Sequence, residues 1–273
     1  VATAPPGQDP GILIEAMTAG MSSDGPYRDP VAEERAQARR AVRLLLEQPD
    51  DLAGQDEVFE SLGMRAIHDV DVATGRAFSI FIAVGSDERA WGALLVDRSE
   101  TPQHLIEVPH PAFDLNTEKL GLALQQRLPG SVLLVAGAHR AAAGGSADVA
   151  HNSGSLFHVL ATEFARGGLP QIQLHGFADK NLPDAQVVVS TGAAEVTTLA
   201  RELATALADA GLVTCRAWSA KCGQLEGTRN EQGQMAAELD RTFIHLELGW
   251  SVRRQESNRE LVARTIADQL AVG

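Results

Sequence analysis

Four strand-like apolar runs in the second half of the chain end at a histidine or a glutamate: LIEV before Pro109 and His110, VLLVAGA before His139, IQL before His175, and FIHLE closing on Glu247. In an open α/β sheet the carboxyl ends of the strands line the ligand crevice, so residues far apart in sequence meet at one rim. Two imidazoles, a carboxylate from an adjoining turn and a further glutamate are the parts of a catalytic zinc site, whose protein ligands leave one position for water.

The segment VPHPAFDLNTEKLGLAL places His110 just past a strand, Asp114 in the next turn, and Glu118 in the first turn of a helix beginning near Asn116. Such a turn folds a carboxylate back toward the strand end, where it can share an ion with the imidazole. The bland alternative is that Asp114 or Asn116 caps the helix and Glu118 complements its dipole. QIQLHGF supplies His175, with Gly176 leaving room for a substrate to approach the backbone. FIHLELG alternates, so that Phe243, His245 and Glu247 share one face and Ile244, Leu246 and Leu248 the other. A carboxylate in so apolar a strand is costly to bury unless it is paired, solvated in a cleft, or poised as a general base. Glu247 is therefore the leading catalytic candidate, with a structural pair to Arg253 or Arg254 as its alternative. Arg140 could grip a substrate carboxylate through its bidentate fork and Asn152 could add an amide contact; a loop salt bridge between Arg140 and Asp148 is the competing reading. His151 and His158 read as structural, and GTRNEQGQ reads as a rim loop with Asn230 and Gln232 as candidate substrate contacts.

The elements that must position these residues alternate along the chain. Residues 1–26 carry Pro, Gly and Ser with little periodicity and predict a linker or loosely held arm. Asp29 and Pro30 open a helix running to about Gln48. AFSIFIAVG and WGALLVD, joined by SDER, predict a β-hairpin. Strands are then expected at 104–108, 131–136, 170–174, 186–190, 212–217 and 242–248, with helices at about 116–128, 155–166, 194–210, 230–239 and 256–271. This alternation predicts an α/β fold, a mainly parallel mixed sheet with helices on both faces. Residues 1–60 are expected to form an N-terminal arm and helix, and residues 61–273 the domain carrying the site.

A formal net charge of -13 argues against a nucleic-acid surface, which needs clustered Lys and Arg. No apolar stretch approaches the roughly 20 residues that cross a bilayer. The chain lacks a GxSxG elbow, which counts against a serine hydrolase built on Ser146, Ser153 or Ser190, and it lacks the glycine spacing of nucleotide-binding loops. Cys215 and Cys222 have no zinc-ribbon spacing; a local disulfide would suit an oxidising compartment, two free thiols the cytosol. The small, proline-rich opening VATAPPGQDPG, numbered from Val1, resembles the tether left by a removed leader, and favours an extracytoplasmic or secreted location over the cytoplasm.

Taken together, HPAFDLNTE, QLHGF and HLELGWSVR resemble the zinc carboxypeptidase-like superfamily, and within it the phage-type poly-γ-glutamate hydrolases and N-formylglutamate amidohydrolases. The resemblance implies a Zn2+ ion held by His110, Asp114 and His175, with Glu118 as the alternative acid, Glu247 as the base, and Arg253 as a substrate-binding arginine following it. It implies hydrolysis of an amide bond in a small peptide, an acylated amino acid, or a γ-glutamyl or cell-wall peptide, by a metal-bound water that Glu247 activates. The competing expectation is a non-catalytic extracytoplasmic binding domain that keeps the fold and has no need of Glu247 as a base.

Overall fold

A computed structural model of the chain describes residues 7–84 and 88–271. Among them, nine strands form one sheet in the order β1-β2-β3-β5-β4-β6-β9-β7-β8. The strands are β1 Met64–Val70, β2 Ala77–Ala83, β3 Ala93–Asp97, β4 His104–Val108, β5 Ser131–Val135, β6 Gln171–Phe177, β7 Val187–Ser190, β8 Thr214–Arg216 and β9 Phe243–Gly249. The helices are α1 Pro10–Ala19, α2 Ala32–Glu47, α3 Leu52–Ser61, α4 Thr117–Gln125, α5 Leu156–Arg166, α6 Thr198–Asp209, α7 Glu231–Glu238, α8 Trp250–Arg253 and α9 Glu256–Leu270.

The α/β class is as expected, but the sheet is not mainly parallel. Four pairings are antiparallel (β1 with β2, β2 with β3, β3 with β5, β7 with β9) and four are parallel (β4 with β5, β4 with β6, β6 with β9, β7 with β8). Connection length is the cause. A parallel return needs a crossover of a dozen or more residues, whereas only residues 71–76, 84–92 and 178–186 separate β1 from β2, β2 from β3 and β6 from β7. The four strands whose runs end on His or Glu are neighbours nonetheless: β5, β4, β6 and β9 all run the same way. Their carboxyl ends form one edge. Part of the SDER turn joining β2 to β3, Ser86 and Asp87, lies outside the described residues.

Two apolar layers cover the sheet. On one face Ile106, Val108, Ile172, Leu174, Ile244 and Leu246 pack with α1, α4, α6 and α9; on the other, Leu105, Val132 and Leu134 pack with α2, α3, α5 and α7. Alternation along each strand delivers residues to both layers.

The N-terminal segment departs from expectation. Residues 1–6 lie outside the described residues, but 10–19 form a helix rather than a loose arm. Asp9 caps it by accepting the Gly11 N–H at 2.8 Å, Pro10 occupies its first turn, and Ile14 is buried in the layer with α4. Its apolar partners come from α4, so local periodicity could not announce it. The next helix also begins later than Asp29, whose carboxylate instead accepts from Tyr27 Oη at 3.1 Å and Asn152 Nδ2 at 2.8 Å. In addition, α3 and β1 occupy residues for which the sequence reading had no elements.

Because α1 is docked, Ile14→Ala should lower the free energy of unfolding by about 2 kcal/mol, the low end for an aliphatic core truncation. Chemical denaturation measures this, and a midpoint unchanged from wild type would mean that α1 adds nothing to the core.

Candidate metal centre

His110 leaves the end of β4 through Pro109, and the turn that follows carries Asp114 back beneath it, with the Asp114 N–H donating to the His110 carbonyl at 2.8 Å. His175 stands on β6 and Glu247 beside it on β9 as register partners; Gln173 and His245 are the partners two residues earlier. The four side chains therefore project from one face of two adjacent parallel strands.

One Asp114 carboxylate oxygen faces both imidazoles, 3.3 Å from His110 Nδ1 and 3.5 Å from His175 Nδ1. The two remaining ring nitrogens are occupied from behind. His110 Nε2–H donates to Asp148 Oδ1 at 2.8 Å, and His175 Nε2–H donates to Gln173 Oε1 at 2.6 Å. These bonds fix the tautomer that turns both Nδ1 lone pairs toward Asp114, the usual arrangement of acceptors behind metal-binding histidines.

The donor set fits zinc. Ligand atoms of His110, Asp114 and His175 lie within 4.8 Å of one another. Bond lengths of about 2.0–2.2 Å to a tetrahedral ion require donors roughly 3.3–3.5 Å apart, the separation seen from Asp114 to each ring. Two imidazoles and one carboxylate also leave a coordination position open, as catalytic zinc requires.

Burial and charge divide the roles. At Asp114 burial opposes ionisation, but the two imidazoles against its carboxylate, His110 and His175, outweigh it and hold the carboxyl well below the usual carboxylate range. At His175 burial wins instead and pushes the imidazole down to about 4, so it is neutral and competent to bind a metal. For Glu247, burial and then the Asp114 charge push its carboxyl well above the ordinary range, with Arg253 and Arg140 opposing. Its Oε2 is enclosed and has no hydrogen-bond partner among the described residues.

Beneath the site lies a polar layer that the sequence reading missed. Gln173 Nε2–H donates to Glu107 Oε2 at 2.6 Å and Gln232 Oε1 at 3.2 Å, while its Oε1 also accepts from Asn230 Nδ2. Burial pushes Glu107 up to about 8, so this carboxyl is neutral at pH 7. Asn230 and Gln232 are thus supports under the floor of the site, both buried, and not rim contacts for substrate. The available signal was a strand alternation: Gln171, Gln173 and His175 lie on one face of β6, and polar side chains on an inward face need partners.

The candidate substrate residues separate. Arg140 lines a cleft of about 500 Å³ with Phe113, Leu115, Trp250, Asp114, His175 and Glu247. It also pairs with Asp148, so the salt bridge and the cleft position coexist. Asn152 lies outside that lining, its amide holding Asp29, the Ser146 carbonyl at 2.7 Å and the Gly154 N–H at 2.9 Å. Its expected substrate contact is replaced by a loop clamp. Arg253 borders the cleft, yet its guanidinium is spent on the carbonyls of Leu248 (3.0 Å), Leu115 (2.6 Å) and Phe177 (3.1 Å). The space expected above Gly176 for substrate is filled by that same guanidinium: a Cβ there would meet Arg253 Nε at 2.2 Å. Glu118 faces a separate groove between α1, α4 and α9, away from the imidazoles.

No family model matches the chain, and no curated protein matches it. Among solved structures it is similar to YndL in a zinc-free apo form, at 14% identity and TM-score 0.46, over 65% of this chain and 88% of that one. It is similar to gene product Atu2144 from Agrobacterium tumefaciens at 12% identity and TM-score 0.49, over 78% and 99% of the two chains. A proposed carboxypeptidase A from Shewanella denitrificans gives 13% identity and TM-score 0.45, over 92% and 70%. Likenesses of this degree carry no argument about activity, which must come from the site.

Since Gln173 orients His175, Gln173→Leu should weaken zinc affinity about 10- to 100-fold, and His175→Ala should abolish it. Competition against a chromogenic chelator reads both, and Glu118→Ala should match wild type. Unchanged affinity in Gln173→Leu would remove its positioning role.

Proposed function

We infer that the protein is a zinc-dependent amide hydrolase acting on a small peptide or an acylated amino acid, γ-glutamyl and cell-wall peptides included. The observation that carries this reading is a His110–Asp114–His175 donor cluster, tied down from behind, with an unpartnered Glu247 carboxyl oxygen beside it. Zinc bound there would polarise a carbonyl and ease the ionisation of water.

The chain's own groups supply the remaining steps. Glu247, whose burial raises its proton affinity, would take a proton from the attacking water and return it to the leaving nitrogen as the C–N bond breaks. Arg140 stands in the cleft with a guanidinium suited to a substrate carboxylate. Phe113, Leu115 and Trp250 give the same cleft an exposed apolar rim, which favours a substrate with a hydrocarbon group beside its charge.

Glu247→Gln keeps the shape and removes the base. Turnover on a panel of γ-glutamyl, formyl-amino-acid and cell-wall peptides should fall by about 10²- to 10⁴-fold, with the zinc of the His110 centre retained. A domain that merely binds peptide would show no turnover for the substitution to change, and wild-type rates in the variant would refute the mechanism.

The Cys215–Cys222 disulfide, which ties β8 to the loop after it, supports an oxidising compartment for this hydrolase. No helix among the described residues is long and apolar enough to cross a membrane. Thiol titration of the denatured, unreduced protein should find no free thiol; two would point to the cytosol.

A further inference from the structure

Two atoms able to bind a metal are left over at the site. His245 Nδ1 and Glu247 Oε2 are both buried and have no hydrogen-bond partner among the described residues. They belong to alternate residues of β9, so they project from one face of the strand. One ligand atom each from His175, His245 and Glu247 falls within 4.8 Å of the others. The His245 ring lies against that of His175, centroids 4.6 Å apart, and Gly227 closes over it with φ of +64°, where a Cβ would come within 2.7 Å of the ring. Only glycine suits that position, so the loop before α7 fixes the imidazole through its backbone.

A buried polar atom without a partner is destabilising, and two on one strand face of a native site call for an occupant. An imidazole nitrogen and a carboxylate oxygen are donors that suit zinc and its divalent neighbours.

We propose that His245 and Glu247 form a second divalent-cation site adjoining the His110–Asp114–His175 centre. Both nitrogens of His175 are already directed at Asp114 and Gln173. The second ion therefore has two protein donors, with water completing its coordination, and is held more weakly than the first.

Calorimetric titration of the metal-stripped full chain with zinc, joined to metal analysis after gel filtration, tests the site without reference to turnover. Wild type should bind two equivalents, one tight and one weaker. His245→Asn and Glu247→Gln should each lose the weaker one and keep the tight one, while Asp114→Asn should do the reverse. Circular dichroism melts confirm that each variant is folded, and having two independent variants guards against the failure of either. One equivalent in wild type, untouched by His245→Asn and Glu247→Gln, overturns the second site and leaves the hydrolase reading standing. One equivalent that is lost in those two variants but kept in Asp114→Asn supports the His245–Glu247 site and overturns the His110–Asp114–His175 ligand set. Two equivalents persisting in both β9 variants overturn the proposal, and no binding at all overturns both.

Discussion

Parallel pairing of β6 with β9, in the register that sets His175 beside Glu247 and Gln173 beside His245, is the constraint on which the candidate site depends. A slip of one residue would turn every side chain of a strand to the opposite face. Glu247 would then point among α4, α6 and α9, where the apolar layer offers it nothing. The register is held from that opposite face: Ile172, Leu174, Ile244, Leu246 and Leu248 are fully buried there and have no polar alternative. The chemistry on one face of these strands is thus specified by hydrocarbon packing on the other.

Placing so many polar groups on an inward face is sustainable only because most of them are paired and few are charged. Asp114 keeps its negative charge between two imidazoles, while burial holds Glu107 neutral. Gln173 links the layers, donating to Glu107 below and accepting from His175 above. Among the atoms that escape this pairing, His245 Nδ1 and Glu247 Oε2 belong to residues beside the His110–Asp114–His175 cluster.

Loops around the rim are fixed by side chains that sequence position alone would have assigned to substrate. Arg253 joins the ends of β6 and β9 and the turn after Asp114 through three carbonyls, and Gly176 gives it passage. Asp148 gathers His110, Arg140 and His151. Asn152, in the same loop, reaches back to Asp29, so the N-terminal segment braces the loop that supports His110.

The sequence by itself determined the α/β class, the strands that carry or lead into His110, His175 and Glu247, and the shared face of Phe243, His245 and Glu247. Apolar runs, their lengths and a period of two are local properties, and each of these features is written within a single run. The strand directions outside β4, β5, β6 and β9 were legible only from connection lengths, which were available but outweighed by the helix–strand alternation. The docking of α1, the approach of Asp114 rather than Glu118 to the two imidazoles, and the conversion of Asn152, Asn230, Gln232 and Arg253 into braces were decided by tertiary structure. Each depends on a partner dozens of residues away, such as Ile14 on α4, Asn152 on Asp29 or Asn230 on Gln173. A polar side chain near a strand end looks the same in sequence whether its hydrogen bonds go to a substrate or to a distant stretch of backbone, and only folding brings that backbone within reach.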